Sequence, residues 1–196
     1  MSHWRTFVNV IKTAPKNDII VLLATFFLTI VFDLVVAIEV GMVLACVLFM
    51  KRMSDETNVT AWRYKEQITA EDSESVKQKL MDVAKNIRVY EISGPLFFGA
   101  ADQIERIELK AYTEYLIVRM RSVPAMDSTA MNSMLSLKQR CDKKGITLIL
   151  SHVNEQPMKA MKKSGLYKSI GADNFKADIS SAISHAEDLS KSRISQ

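Results

Sequence analysis

The hydrophobic pattern changes character once along the chain, and that change sets the first expectation about its organisation. From Ile19 to Met50, thirty-two residues carry only two charges, Asp33 and Glu39, whereas both flanks are charged. Beyond Arg52 the apolar residues fall into short alternating or helical periods punctuated by Ser, Gly and Pro. A long apolar run without a polar stripe at helical spacing predicts membrane-buried helix; a pair of buried core helices in a soluble protein is the alternative it disfavours.

One straight helix over this run would measure about 48 Å, against a hydrocarbon core of roughly 30 Å. Asp33 divides it into Ile19–Phe32 and Leu34–Met50, fourteen and seventeen residues, each short or marginal for a full crossing. The pattern therefore predicts a hairpin of two short transmembrane helices over 19–50, turned at Asp33. The Asp33 carboxylate can cap the second helix by accepting from the free amides of its first turn. Glu39 lies inside the second helix, where an ionisable group is costly and has to face protein or water; helix packing is the expected role, with a proton or ion role as the alternative.

Lys12 and Lys16 stand before the hairpin and Lys51 and Arg52 after it, which places both ends in the cytoplasm. Ahead of it, Trp4, Phe7, Val8 and Ile11 share one helical face, so 1–18 is expected to form an amphipathic helix on the membrane surface. Two decoys are set aside. The first eighteen residues are long and mixed for a signal peptide, and the residues after the lipoprotein-like Val43-Leu44-Ala45-Cys46 remain apolar through Met50.

The polar half begins with a linker and a first strand over 51–86, the strand placed at 60–68, followed by a domain core over 87–190 and a tail over 191–196. Alternation predicts strands at Ile87–Ile92, Leu96–Phe98, Tyr115–Met120 and Ile146–Val153. Helices are predicted from about Ala101, with Ile104, Ile107 and Ala111 on one side, and over Ser128–Lys143, Gln156–Ser164 and Ala177–Leu189. Gly145 and Gly165 read as helix stops. Strand, helix and strand joined by short connections make a βαβ unit with parallel strands, so the class is α/β with a mixed β-sheet and packed helices.

Charge and composition narrow the function. Residues 1–58 balance five basic against five acidic side chains, so the formal net charge of +4 belongs to 59–196, where it is dispersed among acids. No basic run is interleaved with aromatics, and a nucleic-acid surface is not expected. Cys46 and Cys141 have no Cys or His at metal-ligand spacing, so neither a metal nor a disulfide framework is expected. His3, His152 and His185 fall in three separate elements, and no Gly-rich phosphate loop is present. No catalytic residue or cofactor is assigned, and an α/β enzyme would rest on fold analogy alone. Met126, Met131, Met134, Met158 and Met161 are expected in the core.

Three segments together, Phe32-Asp33-Leu34-Val35-Val36-Ala37-Ile38-Glu39-Val40-Gly41, Ser93-Gly94-Pro95-Leu96-Phe97-Phe98-Gly99-Ala100-Ala101 and Met126-Asp127-Ser128-Thr129-Ala130, resemble in order and spacing the carboxyl-terminal end of the sulphate permease (SulP) family. The hairpin resembles the family's last membrane helices, and the region from about 60 to 190 its STAS domain. The resemblance implies a dimeric, multi-pass carrier of sulphate or similar inorganic anions in the plasma (inner) membrane. Its cytoplasmic STAS domain would serve regulation and assembly and could engage a protein partner. The family's anion site lies between two discontinuous helices upstream of Met1, so no substrate-binding residue is carried over, and this chain is not expected to transport alone. The Met126–Ala130 loop also resembles that of the anti-sigma-factor antagonists, in which a hydroxyl two residues after the Asp is phosphorylated. That implies Thr129, with Ser128 beside it, as a possible switch in a membrane-tethered signalling module; helix capping by Asp127 or Ser128 is the plainer alternative.

Overall fold

The computed structural model describes residues 16–55, 58–61, 84–97 and 101–194. Residues 1–15 of the expected 1–18 surface helix and much of the 51–86 linker lie outside these residues, and 16–18 belong to the first helix of the hairpin. Contacts divide the chain into two units, Met1–Met53 and Ser54–Gln196.

In the first unit, α1 spans Lys16–Val31 and α2 spans Leu34–Asp55. Asp33 makes the turn between them. Its Oδ1 accepts from the Val35 amide at 3.2 Å and its carbonyl from the Ala37 amide at 3.0 Å, so the cap read from the sequence is in place. Thr25 and Gly41 stand eight residues on either side of Asp33 and meet across the pair, where any Cβ at Gly41 would collide with the Thr25 methyl. The Thr25 hydroxyl is turned back to its own helix, 2.8 Å from the Val21 carbonyl, which leaves the methyl facing Gly41. Close approach at small residues is how helices associate where lipid removes the hydrophobic drive between them.

α2 departs from the expectation of two short halves. It continues five residues beyond Met50, to Asp55, and its 22 residues reach about 33 Å. No Gly or Pro stops it after Met50, and Arg52 in its last turn complements the helix dipole. Among the described residues, Leu34–Met53 is the one stretch long and apolar enough to cross a membrane, and Ile19–Val31 is a shorter apolar companion.

The second unit is built on a five-stranded sheet in the order β1 (Asn58–Ala61), β2 (Ile87–Ser93), β3 (Tyr115–Ser122), β4 (Thr147–Ser151), β5 (Phe175–Lys176). β1 runs antiparallel to β2, and the remaining pairs are parallel, so the mixed α/β class is borne out. Strand alternation sorts the core into two layers. Tyr90, Ile92, Leu116, Val118, Met120, Leu148 and Leu150 face the layer of α4 (Ser128–Lys143), α5 (Glu155–Ser164) and α6 (Leu166–Ile170). Ile87, Val89, Tyr115, Ile117 and Ile149 face α7 (Ile179–Ile194) through Ile179, Ala182, Ile183 and Ala186.

α4 matches its expected limits. The helix from Ala101 does not: α3 is only Ala101–Glu105, and Ile107 is buried beyond its end while Ala111 is exposed. Arg140 donates to the Glu105 and Ile107 carbonyls at 2.9 and 2.7 Å, and Lys144 to the Leu109 carbonyl at 2.7 Å, so side chains of another helix take the acceptors a longer α3 would have used. Expected strand Leu96–Phe98 reduces to a single parallel bridge from Leu96 to Met126, with Phe98 outside the described residues. The first strand, expected at 60–68, is seen at Asn58–Ala61, with 62–68 outside the described residues. α7 runs to Ile194, through most of the segment expected to be tail. Of the five methionines assigned to the core, Met126, Met131, Met134 and Met161 are buried and Met158 is partly so.

Candidate functional site

The segment that joins β3 to α4 is held from three directions. Leu96 donates to the Ala125 carbonyl at 2.9 Å, and Asp127 donates to the Leu96 carbonyl at 3.0 Å, so the Leu96 bridge ties this junction to the one after β2. Gln156, at the start of α5, brackets the Met126 residue: its Oε1 accepts from the Met126 amide at 2.8 Å and its Nε2 donates to the Met126 carbonyl at 3.1 Å. Asn154 donates through Nδ2 to the Arg121 and Val123 carbonyls at 2.9 and 2.7 Å. Asn154 stands at the N-cap of α5 yet makes no side-chain cap bond there; its Nδ2 is turned to the neighbouring loop.

On this frame sit the three residues singled out from the sequence. Asp127 is the N-cap of α4, with Oδ1 accepting from the Ala130 amide at 2.8 Å and its carbonyl from the Met131 amide at 3.1 Å. Ser128 and Thr129 are exposed in the first turn, and the Thr129 carbonyl accepts from the Ser133 hydroxyl at 3.3 Å. The capping role is therefore occupied by Asp127, and both hydroxyls remain accessible beside it. The sequence reading missed Gln156 and Asn154. Their polar side chains lie about thirty residues from their partners, so no local period marks them; an amide residue at a strand-to-helix junction is the weak signal available.

The other singled-out acids, Asp33 and Glu39, belong to the hairpin and are not part of this loop. Glu39 lies two residues from buried Ala37 and two from Gly41, which by helical periodicity sets it on the side of α2 away from the Thr25 contact, and it is exposed.

Among the described residues, no group of three His, Cys, Asp or Glu is placed to hold a metal ion. The Cys141 thiol is buried, and burial pushes its pKa up to about 11, which makes it unreactive. His185 is 3.4 Å from Asn174 Oδ1, and burial first, then Lys176, lowers its pKa. His152 takes a positive φ of 55° and its amide bonds to the Lys176 carbonyl at 2.9 Å, at the mouth of an open cleft of about 470 Å³ between β4, β5 and α5. His3 lies outside the described residues. Glu91 and Arg119 face each other on β2 and β3 as a buried pair 3.6 Å apart, a polar contact that the strand alternation concealed.

Comparison with known proteins sets this geometry in a family. A family model described as the STAS domain matches residues 78–182. YvdB of Bacillus subtilis (strain 168), which carries a sulfate-transporter name, is 32% identical over 181 residues, covering 89% of this chain and 31% of YvdB. The crystal structure of a sulfate transporter family protein from Wolinella succinogenes is 30% identical with a TM-score of 0.54, covering 63% of this chain and 99% of that one. The murine Solute Carrier 26 family member A9 anion transporter, in an inward-facing state, has a TM-score of 0.69 at 14% identity, covering 91% of this chain and 30% of that one, a likeness of fold alone. The chain spans about a third of the length of the curated relatives it matches.

Proposed function

The chain belongs to the STAS-domain family and is homologous to SulP-type transporters, and from that premise we propose that it is the carboxyl-terminal portion of a SulP-type secondary anion transporter. In this reading the hairpin braces the membrane part of the carrier and the STAS domain serves regulation and assembly on the cytoplasmic side. The observation that carries it is the combination of an apolar helical pair, its large side chains facing outward, with a fully packed STAS sheet in one chain. YvdB's name supplies sulfate, or a similar inorganic oxyanion, as the transported species. The anion path lies in other segments of such a carrier, and the whole carrier is a homodimer.

Lys51 and Arg52 at the end of α2 support a cytoplasmic STAS domain by the positive-inside tendency. The test is fractionation of cells that express the full chain: the protein stays in the membrane pellet after alkaline carbonate washing. Recovery in the carbonate supernatant overturns the reading.

A second reading is favoured by the exposed Ser128 and Thr129 on the α4 N-terminus. A phosphate there meets first-turn amides and a favourable dipole, but also the Asp127 carboxylate that already uses one of those amides, so modification would displace the cap and reshape the loop. Equal phosphate incorporation into the native chain and a Thr129→Ala, Ser128→Ala variant, with lysate as the kinase source, removes this reading.

A further inference from the structure

The exposed side of α5 and α6 carries a concentration of lysines that neither the STAS fold nor the loop at Asp127 requires. Lys159, Lys162 and Lys163 occupy one side of α5 at helical spacing, opposite buried Pro157 and Met161, and Lys168 projects from α6 after the Gly165 turn. Lys162 lies 5.2 Å above the Tyr167 ring, which brings the last turn of α5 beside the start of α6, where exposed Lys168 follows Tyr167, so the two neighbouring helices form one lysine-bearing stretch. Glu155 is the acid within it, and it is paired with Lys159 at 2.6 Å. Among the described residues, neither Lys163 nor Lys168 has an ion-pair partner. Lys162 and Lys163 suit the negative end of the α5 dipole, but Lys159 precedes the last turn and Lys168 lies beyond it, so capping does not account for the set.

We propose that the lysine face of α5 and α6 docks on the anionic headgroups of the lipid bilayer. The proposal rests on the membrane reading of the hairpin: a chain anchored in lipid presents its soluble domain to that surface at high effective concentration, so a patch with few direct contacts suffices. Lysine is suited to this, since its long stem and compact ammonium follow a fluid headgroup layer without fixed geometry. The attraction is electrostatic and falls off within a Debye length, so it weakens as salt is raised.

The experiment uses the full chain reconstituted into phosphatidylcholine vesicles with and without a phosphatidylglycerol fraction. Lysine acetylation by a membrane-impermeant reagent is followed residue by residue by mass spectrometry. In the anionic vesicles the rates at Lys162, Lys163 and Lys168 are expected to fall roughly fivefold, to recover at high salt, and to leave exposed Lys85 and Lys143 unchanged. In a Lys163→Glu, Lys168→Glu variant the remaining protection at Lys162 is expected to disappear while the chain still floats with the vesicles. Equal rates in both vesicle types, or protection that survives in the variant, overturns the proposal. Flotation with pure phosphatidylcholine vesicles reads the hairpin separately: its loss would sink the membrane reading, whereas flotation with unchanged lysine rates sinks only the lysine face.

Discussion

The two units of the chain use the same side chains in opposite ways. Phe27, Ile30 and Phe32 in the hairpin are 61%, 65% and 69% exposed, whereas Ile92, Leu116 and Ile117 in the sheet domain are fully buried. The sheet domain makes its own apolar interior, closing each sheet face with helices. In the hairpin, burial is confined to a narrow seam around Ala37, Gly41 and Thr25, and the rest of the apolar surface needs another medium. Water is a poor solvent for a patch of that extent, and lipid is a good one. A truncation that is severe in one unit should therefore be mild in the other, with a different readout in each.

The largest expected effect comes from Leu116→Ala, at a position with no exposed surface. It should cost about 2–5 kcal/mol in denaturant unfolding of the sheet domain in detergent. Phe27→Ala, at the exposed hairpin position, should change that same unfolding by less than about 0.5 kcal/mol while lowering membrane retention. Similar unfolding penalties for both would erase the contrast between the units.

The next largest is Gln156→Ala, which removes both bonds to Met126 and leaves its amide and carbonyl without those partners. A loss of about 1–3 kcal/mol is expected, with faster amide exchange at Met126 and its neighbours than at β4. Asp127→Ala, which removes the cap at the Ala130 amide, should cost about 1 kcal/mol, and Asp127→Asn should restore most of it.

The smallest effect is a pH dependence at the start of α7. Asp178 accepts from the Ser181 amide at 2.8 Å and the Ser181 hydroxyl at 2.9 Å, and these bonds lower its pKa. A carboxylate whose folded pKa lies below its unfolded value adds stability that is fully present above the unfolded pKa, near 3.9, and is lost as pH falls through the folded one. Ser181→Ala removes the hydroxyl bond and keeps the amide one, so it should lower stability slightly near neutrality and make the acid-side loss shallower by the same amount. An identical acid limb in the variant would show that the Ser181 hydroxyl bond contributes nothing measurable.

Legibility in the sequence followed the range of the forces involved. α4 was readable to both ends because its stop and start are local: Asp127 caps it and Gly145, at φ 68°, follows it. The turn at Asp33 was readable for the same reason. α3 was drawn too long because Arg140 and Lys144, 35 residues away, end it. α6 and β5 were missed, since five and two residues are too short to show a period. The hairpin was divided correctly, yet its second helix was stopped at the first charges, although Lys51 and Arg52 suit a helix end and do not break one. At the loop, Asp127, Ser128 and Thr129 announced themselves as a helix start, while the residues that hold the loop, Gln156 and Asn154, belong to another helix and became visible only when the chain was folded.

On the proposed reading the hairpin turn and the STAS loop lie on opposite sides of one membrane. This placement is tested most directly by accessibility of single cysteines, in a Cys46→Ser, Cys141→Ala background, to a membrane-impermeant maleimide applied to intact cells. Phe32→Cys, beside the turn, should be labelled from outside, and Ser128→Cys only after the cells are permeabilised. Labelling of both from outside, or of both only after permeabilisation, would contradict the account.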